Sequence, residues 1–425
     1  MAETTKLVSG GKPRLRFFEN APGQQHIPEQ DKYLYAIEAP KTKLAIIGTG
    51  TIGQEHMRVA KLLGRAAIHG VYDQSALSVD VALANFAALD TGSALSKASA
   101  PKVYQSLDEA CQDPAIDALM VCTPNFTHFD IIKAAMASGK PIFLEKPIAT
   151  TLADAAAIVE LARGYSSFIQ LGLQYRYKAQ YVEALHEINA RGSLGVTQTI
   201  SMSEYRPPFL DKVGQWNKFN ALSGGTLVEK CCHYFDLINL IAEARPTRVY
   251  ASAGRSGVFD GVIRDQVVSD IDDNAFVVID YANGVRANFA LNMNAPDFTE
   301  ELCVVGDRGR LTTCERFQQH HGQQAGATVN VQLGEQGASR ETTLAYASAI
   351  EASGHHGATY YEHAAFLDRI EARAAGAVET SAAATPEQGL WSMLVASAAQ
   401  ESSRTGEAVS VDATLIANGL DSLLK

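Results

Sequence analysis

The chain has no apolar run long enough to span a bilayer, and its lysines and arginines never gather into a block. The first absence excludes a helical membrane anchor. The second, with 47 acidic against 36 basic residues and a net charge of −11, leaves no electrostatic footprint for a nucleic-acid backbone. The opening residues, MAETTKLVSGGKPRLRFF, lack an apolar signal core, so a cytoplasmic location is expected. Cysteine is scarce as well. Cys111, Cys122, Cys231, Cys232, Cys303 and Cys314 form no C-x-x-C pair, and they read as buried reduced thiols.

What is present is length and alternation. A chain of 425 residues exceeds one ordinary core and predicts two domains with appendages. Residues 1–40 carry turn-formers and mixed charge without periodicity, and read as an N-terminal arm. From residue 41 short apolar runs alternate with helix-period segments: KLAIIG, IGQEHMRVAKLLG, AIHGVYD, DALMVCTP, THFDIIKAAMASG, PIFLEKP. That alternation predicts parallel strands joined by helices over 41–165. Ser106 with Glu109, and Thr151 with Asp154, mark helix starts. Over 166–425 the texture changes. β-branched or period-two runs such as TRVYASAG, NAFVVIDYANGVRANFALNM and ATVNVQL predict a largely antiparallel α+β domain, with Asn283 and Gly284 as a hairpin turn. ATYYEHAAFLDRIEAR and PEQGLWSMLVASAAQESSR read as closing helices. No internal repeat is visible.

GTGTIG at 48–53 follows a strand and opens a helix. Gly48 permits the tight turn, Gly50 lets backbone approach a pyrophosphate, and Gly53 lets helix and strand pack closely; Thr51 and Ile52 begin the helix whose N–H groups face the phosphates. Asp73 ends the next strand, where an acid would hydrogen-bond the adenosine ribose. Together these predict a Rossmann domain that binds NAD. A 2′-phosphate would meet like charge at Asp73, although a distant arginine could still rescue NADP.

Ligands of such sheets collect beyond the carboxyl ends of strands. There lie CTPNFTH, with Thr123, Asn125 and His128, and EKP, with Glu145 and Lys146. Thr123 and Asn125 are candidates for ribose or nicotinamide contacts, or for capping the next helix. His128 either faces the cofactor or sits in the first helical turn. Lys146 ends an apolar strand and is held extended by Pro147, which aims it at the ligand crevice.

TLVEKCCHYFDLI packs Glu229, Lys230, two cysteines, His233 and Asp236 between apolar residues. Read as one helix of about four turns through Ala242, it places Glu229, His233 and Asp236 on one face. The adjacent cysteines point roughly 100° apart and cannot join Glu229 and His233 on one ion, so no metal site is expected.

In this order and spacing, GTGTIG, Asp73, CTPNFTH, EKP and GG-x-L-x-E-x-x-x-H-x-x-D resemble the glucose–fructose oxidoreductase/inositol dehydrogenase/MocA family, from about Lys43 to the end. The resemblance implies a Rossmann domain followed by an α+β domain with a large, mostly antiparallel open sheet. That sheet often serves oligomerisation, so a homodimer or homotetramer is expected. It also implies hydride transfer between a nicotinamide cofactor and an alcohol carbon of a sugar, polyol or inositol, with Lys146 and His233 at the active site. Where the family usually has aspartate, this chain has Glu229, which implies contact with substrate or with His233. Tyr175 and Arg176 fall on a turn that borders the family's pocket, and Trp216 could stack on a sugar face. His355 and His356 in GHHG read as a loop near the pocket. Two alternatives stay open: glycoside cleavage through transient oxidation, and a nucleotide-binding regulator, against which retention of Lys146 and His233 argues.

Overall fold

The last four residues of TKLAII are apolar because the strand they form is covered on both faces. In the computed structural model, β1 (Thr42–Ile47) lies at the centre of a parallel sheet, with Leu44, Ile46 and Ile47 fully buried. The structure describes residues 40–89, 100–318, 323–334, 337, 339–377 and 383–424, so nearly all of the expected N-terminal arm lies outside it. The sheet runs β3-β2-β1-β4-β5-β6, from β2 (Ala66–Tyr72), β3 (Lys102–Val103), β4 (Ala118–Val121), β5 (Ile142–Glu145) and β6 (Ile169–Gly172). Every pairing in it is parallel. The strand IQLG therefore completes the first sheet, beyond the boundary read at residue 165.

Five helices connect these strands, the second, third and fifth of them starting at side-chain caps. These are α1 (Thr51–Leu63), α2 (Ala76–Ala88), α3 (Leu107–Gln112), α4 (His128–Met136) and α5 (Leu152–Arg163). Ser106 accepts from the Glu109 N–H at 3.1 Å and Thr151 from the Asp154 N–H at 3.1 Å, as the sequence predicts. After a 3₁₀ turn (Gln174–Tyr177) and α6 (Ala179–Leu185), the chain enters a second, nine-stranded sheet.

That sheet is built from β7 (Thr197–Tyr205), β8 (Pro246–Gly254), β11 (Asn274–Tyr281), β12 (Arg286–Asn292), β13 (Phe298–Gly306), β14 (Gly309–Gln318), β15 (Gln323–Leu333), β16 (Arg340–Leu344) and β17 (Val409–Ser410). A separate small hairpin pairs β9 (Ile263–Arg264) with β10 (Val267–Val268). The order is β16-β15-β14-β13-β7-β12-β11-β8-β17, antiparallel throughout except where β12 meets β7. The turn at Asn283 and Gly284 registers Asp280 against Arg286, and Gly284 adopts φ +89°. Ala275, Val277 and Ile279 point into the core while Phe276 and Val278 point out, the period-two alternation of a sheet covered on one face.

The closing helices hold the lobes together. α9 (Ala358–Ala374) returns to the first lobe, where Phe366 and Leu367 join Leu44, Ile46, Met57 and Phe143 in one cluster. α10 (Pro386–Thr405) packs against α5 on one side and β8 on the other. It begins with a reciprocal capping box between Thr385 and Gln388, with Pro386 at its first turn, and ends at Gly406 with φ +77°. A short helix, α11 (Val411–Ala417), follows β17.

The expected four-turn helix through Ala242 is two pieces, α7 (Thr226–Glu229) and α8 (Cys232–Ala242). The Cys231 N–H reaches back to the Thr226 carbonyl at 3.3 Å, which breaks the regular ladder at Lys230 and Cys231. The Glu229 carbonyl, freed by that break, accepts instead from the Lys146 ammonium at 2.9 Å. A lysine from the other lobe thus satisfies a group that a continuous helix would have paired internally.

Candidate active site

One cavity runs from the glycine loop of the first lobe to the broken helix of the second, and both Lys146 and His233 line it. At its first end, Gly48 adopts φ +95° and packs so closely on Cys122 that a Cβ would lie 2.7 Å from backbone. A Cβ on Gly53 would lie 2.0 Å from the Gly48 carbonyl. Gly50 is the reverse case: nothing lies within 4 Å of where its Cβ would stand, so its backbone is open to a ligand. Thr51, Ile52, Thr123 and Asn125 also line this end. Asp73 sits beside the loop, accepting from the Thr49 N–H at 2.7 Å and the Ser75 N–H at 2.8 Å. A fixed carboxylate, an open backbone and a helix N-terminus together fit a dinucleotide.

Several predicted residues have other primary contacts. The Asn125 side-chain amide donates to the Ser223 carbonyl at 3.0 Å, tying CTPNFTH to the turn before α7. His128 is fully buried, its ring nitrogens 2.8 Å and 3.1 Å from the Pro147 and Thr123 carbonyls, and it does not line the cavity. It braces the two loops against each other. Glu145 lies 2.8 Å from His56 and accepts from the Lys146 N–H at 3.1 Å. Arg176 also stays out of the cavity: its guanidinium forms a buried fork on Asp236, at 2.7 Å and 2.6 Å.

At the second end Glu229 receives two ammonium groups, Lys146 at 3.0 Å and Lys212 at 2.7 Å. Burial alone would raise its pKa, but the two lysines outweigh that and hold it down at about 2. Burial pulls Lys146 down, and the Glu229 charge more than restores it, leaving the ammonium favoured. His233 goes the other way. Burial first, and then the positive charge of Lys146, push its pKa well below the ordinary imidazole value. The described polar contacts of the Glu229 carboxylate are these two lysines, where the resemblance implied contact with substrate or with His233. His233 is held by Tyr175, whose ring stacks on the imidazole at 4.2 Å and 12°. Tyr175 in turn accepts from Lys230 at 2.5 Å.

The cavity includes residues that sequence reasoning missed. Lys212 lies in a stretch without periodicity or motif and Lys178 just beyond the turn of Tyr175 and Arg176, and only the fold brings them to Glu229 and to Glu300 (2.6 Å) respectively. Glu55 sits one turn into α1, 2.7 Å from His355 and 2.6 Å from the Thr359 hydroxyl. Its glycine-motif context offered the only advance signal. His355 and His356 line the cavity, as does Trp216, with Lys212 4.5 Å above its ring. Among the described residues no three His, Cys, Asp or Glu side chains could jointly hold a metal ion. All six cysteines are free; Cys303 and Cys314 are half-buried and the other four are buried.

Comparison with known proteins agrees with this architecture. Residues 42–173 match the model of an oxidoreductase family with an NAD-binding Rossmann fold, and 190–411 match that family's C-terminal alpha/beta domain. The chain is 25% identical over 238 residues to the rhizopine catabolism protein MocA of Rhizobium meliloti, covering 55% of this chain and 68% of that one. It is 24% identical over 281 residues to myo-inositol 2-dehydrogenase of Thermotoga maritima, covering 64% and 77%. Among solved structures, levoglucosan dehydrogenase in complex with NADH and levoglucosan shares the fold, with TM-score 0.68 and 18% identity over 87% of this chain and 99% of that one. With both domain models matched in order over most of its length, the chain belongs to the Gfo/Idh/MocA oxidoreductase family, and its first lobe is an NAD-binding Rossmann domain.

Proposed function

We propose that the protein oxidises a secondary alcohol of a sugar, polyol or inositol, with Lys146 and His233 as its acid–base centre. The observation that carries this reading is that the two groups share one cavity with the glycine loop, one favoured as a cation and the other as a neutral base. The ammonium of Lys146 is kept charged by Glu229, and the imidazole of His233 is kept neutral by burial and by that ammonium. A neutral imidazole can take the hydroxyl proton, and a fixed ammonium can stabilise the alkoxide that develops. When bound, the nicotinamide accepts the hydride. Gly48, Gly50, Thr51, Ile52, Gly53, Asp73, Thr123 and Asn125 are the residues we assign to holding the dinucleotide, and Asp73 favours NAD over NADP. Tyr175 fixes the imidazole plane from one side, and Trp216 offers a flat apolar wall to a sugar face.

A panel of polyols and sugars, followed by absorbance of the reduced nicotinamide with NAD and with NADP, tests this directly. Lys146→Ala and His233→Ala are each expected to cost roughly 10²- to 10⁴-fold in turnover with little change in NAD affinity. Near-normal turnover in both would overturn the assignment. The outward face of the second sheet carries Phe276, Val278 and Tyr250 at 66%, 46% and 48% exposure. That supports self-association through the sheet, which light scattering across a concentration series would measure.

A further inference from the structure

Lys212 has no part in the acid–base step proposed above, and no helix or strand carries it, yet it shares a carboxylate with Lys146. Its side chain is 28% exposed against 13% for Lys146, the most open of the lysines and arginines that line the cavity. The loop that carries it, residues 206–217, leaves β7 and brings Phe209, Leu210 and Trp216 to the cavity wall as well. This loop is shaped from within. The Asn217 side-chain amide donates to the Leu210 carbonyl at 3.2 Å, the Gln215 N–H to the Lys212 carbonyl at 2.8 Å, and Lys218 pairs with Asp211. Gly214 and Gln215 are both left-handed, at φ +64° and +53°, which makes the bend after Lys212 sharp. On its outer side Arg264 donates to the Gly214 carbonyl at 2.8 Å. On the cavity side its ammonium lies 4.5 Å above the Trp216 ring and donates to Glu229 at 2.7 Å.

Glu229 gives one oxygen to each lysine: Oε2 accepts from Lys146 at 3.0 Å and Oε1 from Lys212 at 2.7 Å. An ammonium has three donors. Lys146 spends one on the Glu229 carboxylate and one on the Glu229 carbonyl at 2.9 Å, so the direction of the third is fixed by the other two. That direction holds only while the carboxylate holds still. The last torsion of a glutamate is broad, so a carboxylate held at one oxygen can swing, whereas one held at both cannot.

We propose that the Lys212–Glu229 ion pair is a clasp, which holds the loop 206–217 against the reacting end of the cavity and, through Glu229, keeps the third N–H of Lys146 aimed at the reacting oxygen. Lys212 is thereby a positioning residue. The aiming rests on the function proposed above; the clasp does not. The charges give it a signature. Lys212 faces Glu229, Lys146 and Glu145. Lys146 faces Glu229, Glu145, the neutral His233 and Cys232, whose thiol is pushed up to about 12 by burial and stays neutral as well. Without the Lys212 charge Glu229 serves Lys146 alone, and Lys146 keeps its proton to higher pH. That is the opposite of what loss of the Glu229 charge does.

The test compares full-length wild type with Lys212→Met, which removes the charge, and Lys212→Arg, which keeps it. Hydrogen exchange followed by mass spectrometry over residues 209–217 reads the clasp without turnover: the methionine variant should exchange on the order of tenfold faster and the arginine variant close to wild type. Urea midpoints of Lys212→Met, Glu229→Gln and the double variant should be non-additive, because the two residues share one contact. Unchanged exchange or additive midpoints would overturn the clasp. Turnover is followed with NAD on myo-inositol, D-glucose and the rest of the polyol and sugar panel. Lys212→Met should lower kcat about tenfold at unchanged NAD affinity and move the alkaline limb of kcat/KM to higher pH, with arginine restoring most of both. A wild-type kcat, a limb that stays or moves down, or no rescue by arginine would overturn the positioning role. Failure of wild type to oxidise any member of the panel would remove the proposed oxidation and the aiming with it, while exchange and urea midpoints still decide the clasp, so the two readings fail separately.

Discussion

Replacing Glu229 by glutamine keeps the shape of the side chain and removes the charge that two partly exposed ammonium groups share. Lys146 and Lys212 both donate to this carboxylate, at 3.0 Å and 2.7 Å, and Glu229 is only 4% exposed. A carboxyl whose pKa falls from 4.5 to about 2 on folding contributes about 3 kcal/mol at neutral pH, at about 1.4 kcal/mol for each pH unit. Breaking a buried ion pair by removing one partner costs roughly 3–5 kcal/mol, the same size from an independent direction. Glu229→Gln is therefore expected to lose about 3 kcal/mol in urea denaturation at pH 7. The sign follows from a depressed pKa: the contribution is complete above pH 4.5 and fades as the pH falls toward 2, so the gap between variant and wild type narrows only in that acid range. Activity should report the same pair. Without the Glu229 charge, burial lowers the Lys146 pKa, so the alkaline limb of kcat/KM should move to lower pH while NAD affinity holds. A double-mutant cycle with Lys146→Met isolates the pairwise part. Equal urea midpoints at pH 7 and superimposable pH–rate profiles would refute the electrostatic account of this site.

Asp73→Ala should weaken NAD and relax discrimination against NADP, read by titrating both cofactors; unchanged affinity for both would remove Asp73 from the ribose site. Gly53→Ala should abolish dinucleotide binding or unfold the first lobe, because the added methyl carbon would sit 2.0 Å from the Gly48 carbonyl; a folded variant with normal NAD affinity would contradict that packing. His233, depressed by burial and by Lys146, should stay neutral through pH 6.5, so kcat/KM in the oxidation direction should show no acid limb there that His233→Ala abolishes. The fully buried His128 and the nearly buried His363 are depressed by burial too, so their unfolded forms take up protons near pH 6.5 before the folded ones do. Stability should accordingly fall as the pH drops below about 6.5, and a pH-independent urea midpoint between 7 and 5.5 would argue otherwise.

Periodicity and punctuation in the chain were enough for the two-lobe organisation, the parallel order of the first lobe and the dinucleotide loop, because each is written in contiguous residues. LAII is apolar throughout since both faces of its strand are covered, GTGTIG needs its glycines within six positions, and the Asn283–Gly284 turn sets its own register. The site beyond that loop is assembled from distant segments, and tertiary structure decided it. Nothing local says that Arg176 spends its guanidinium on Asp236, that Lys212 reaches Glu229, or that α7 and α8 part at Lys230 and hand a carbonyl to Lys146. Helical spacing put Glu229 on one face with His233, whereas in the fold its carboxylate lies between Lys146 and Lys212 and the helix breaks at Lys230 and Cys231. Charge pairing in a low-dielectric interior is a property of what the fold brings together, and it overrode the periodicity that the chain displays on its own.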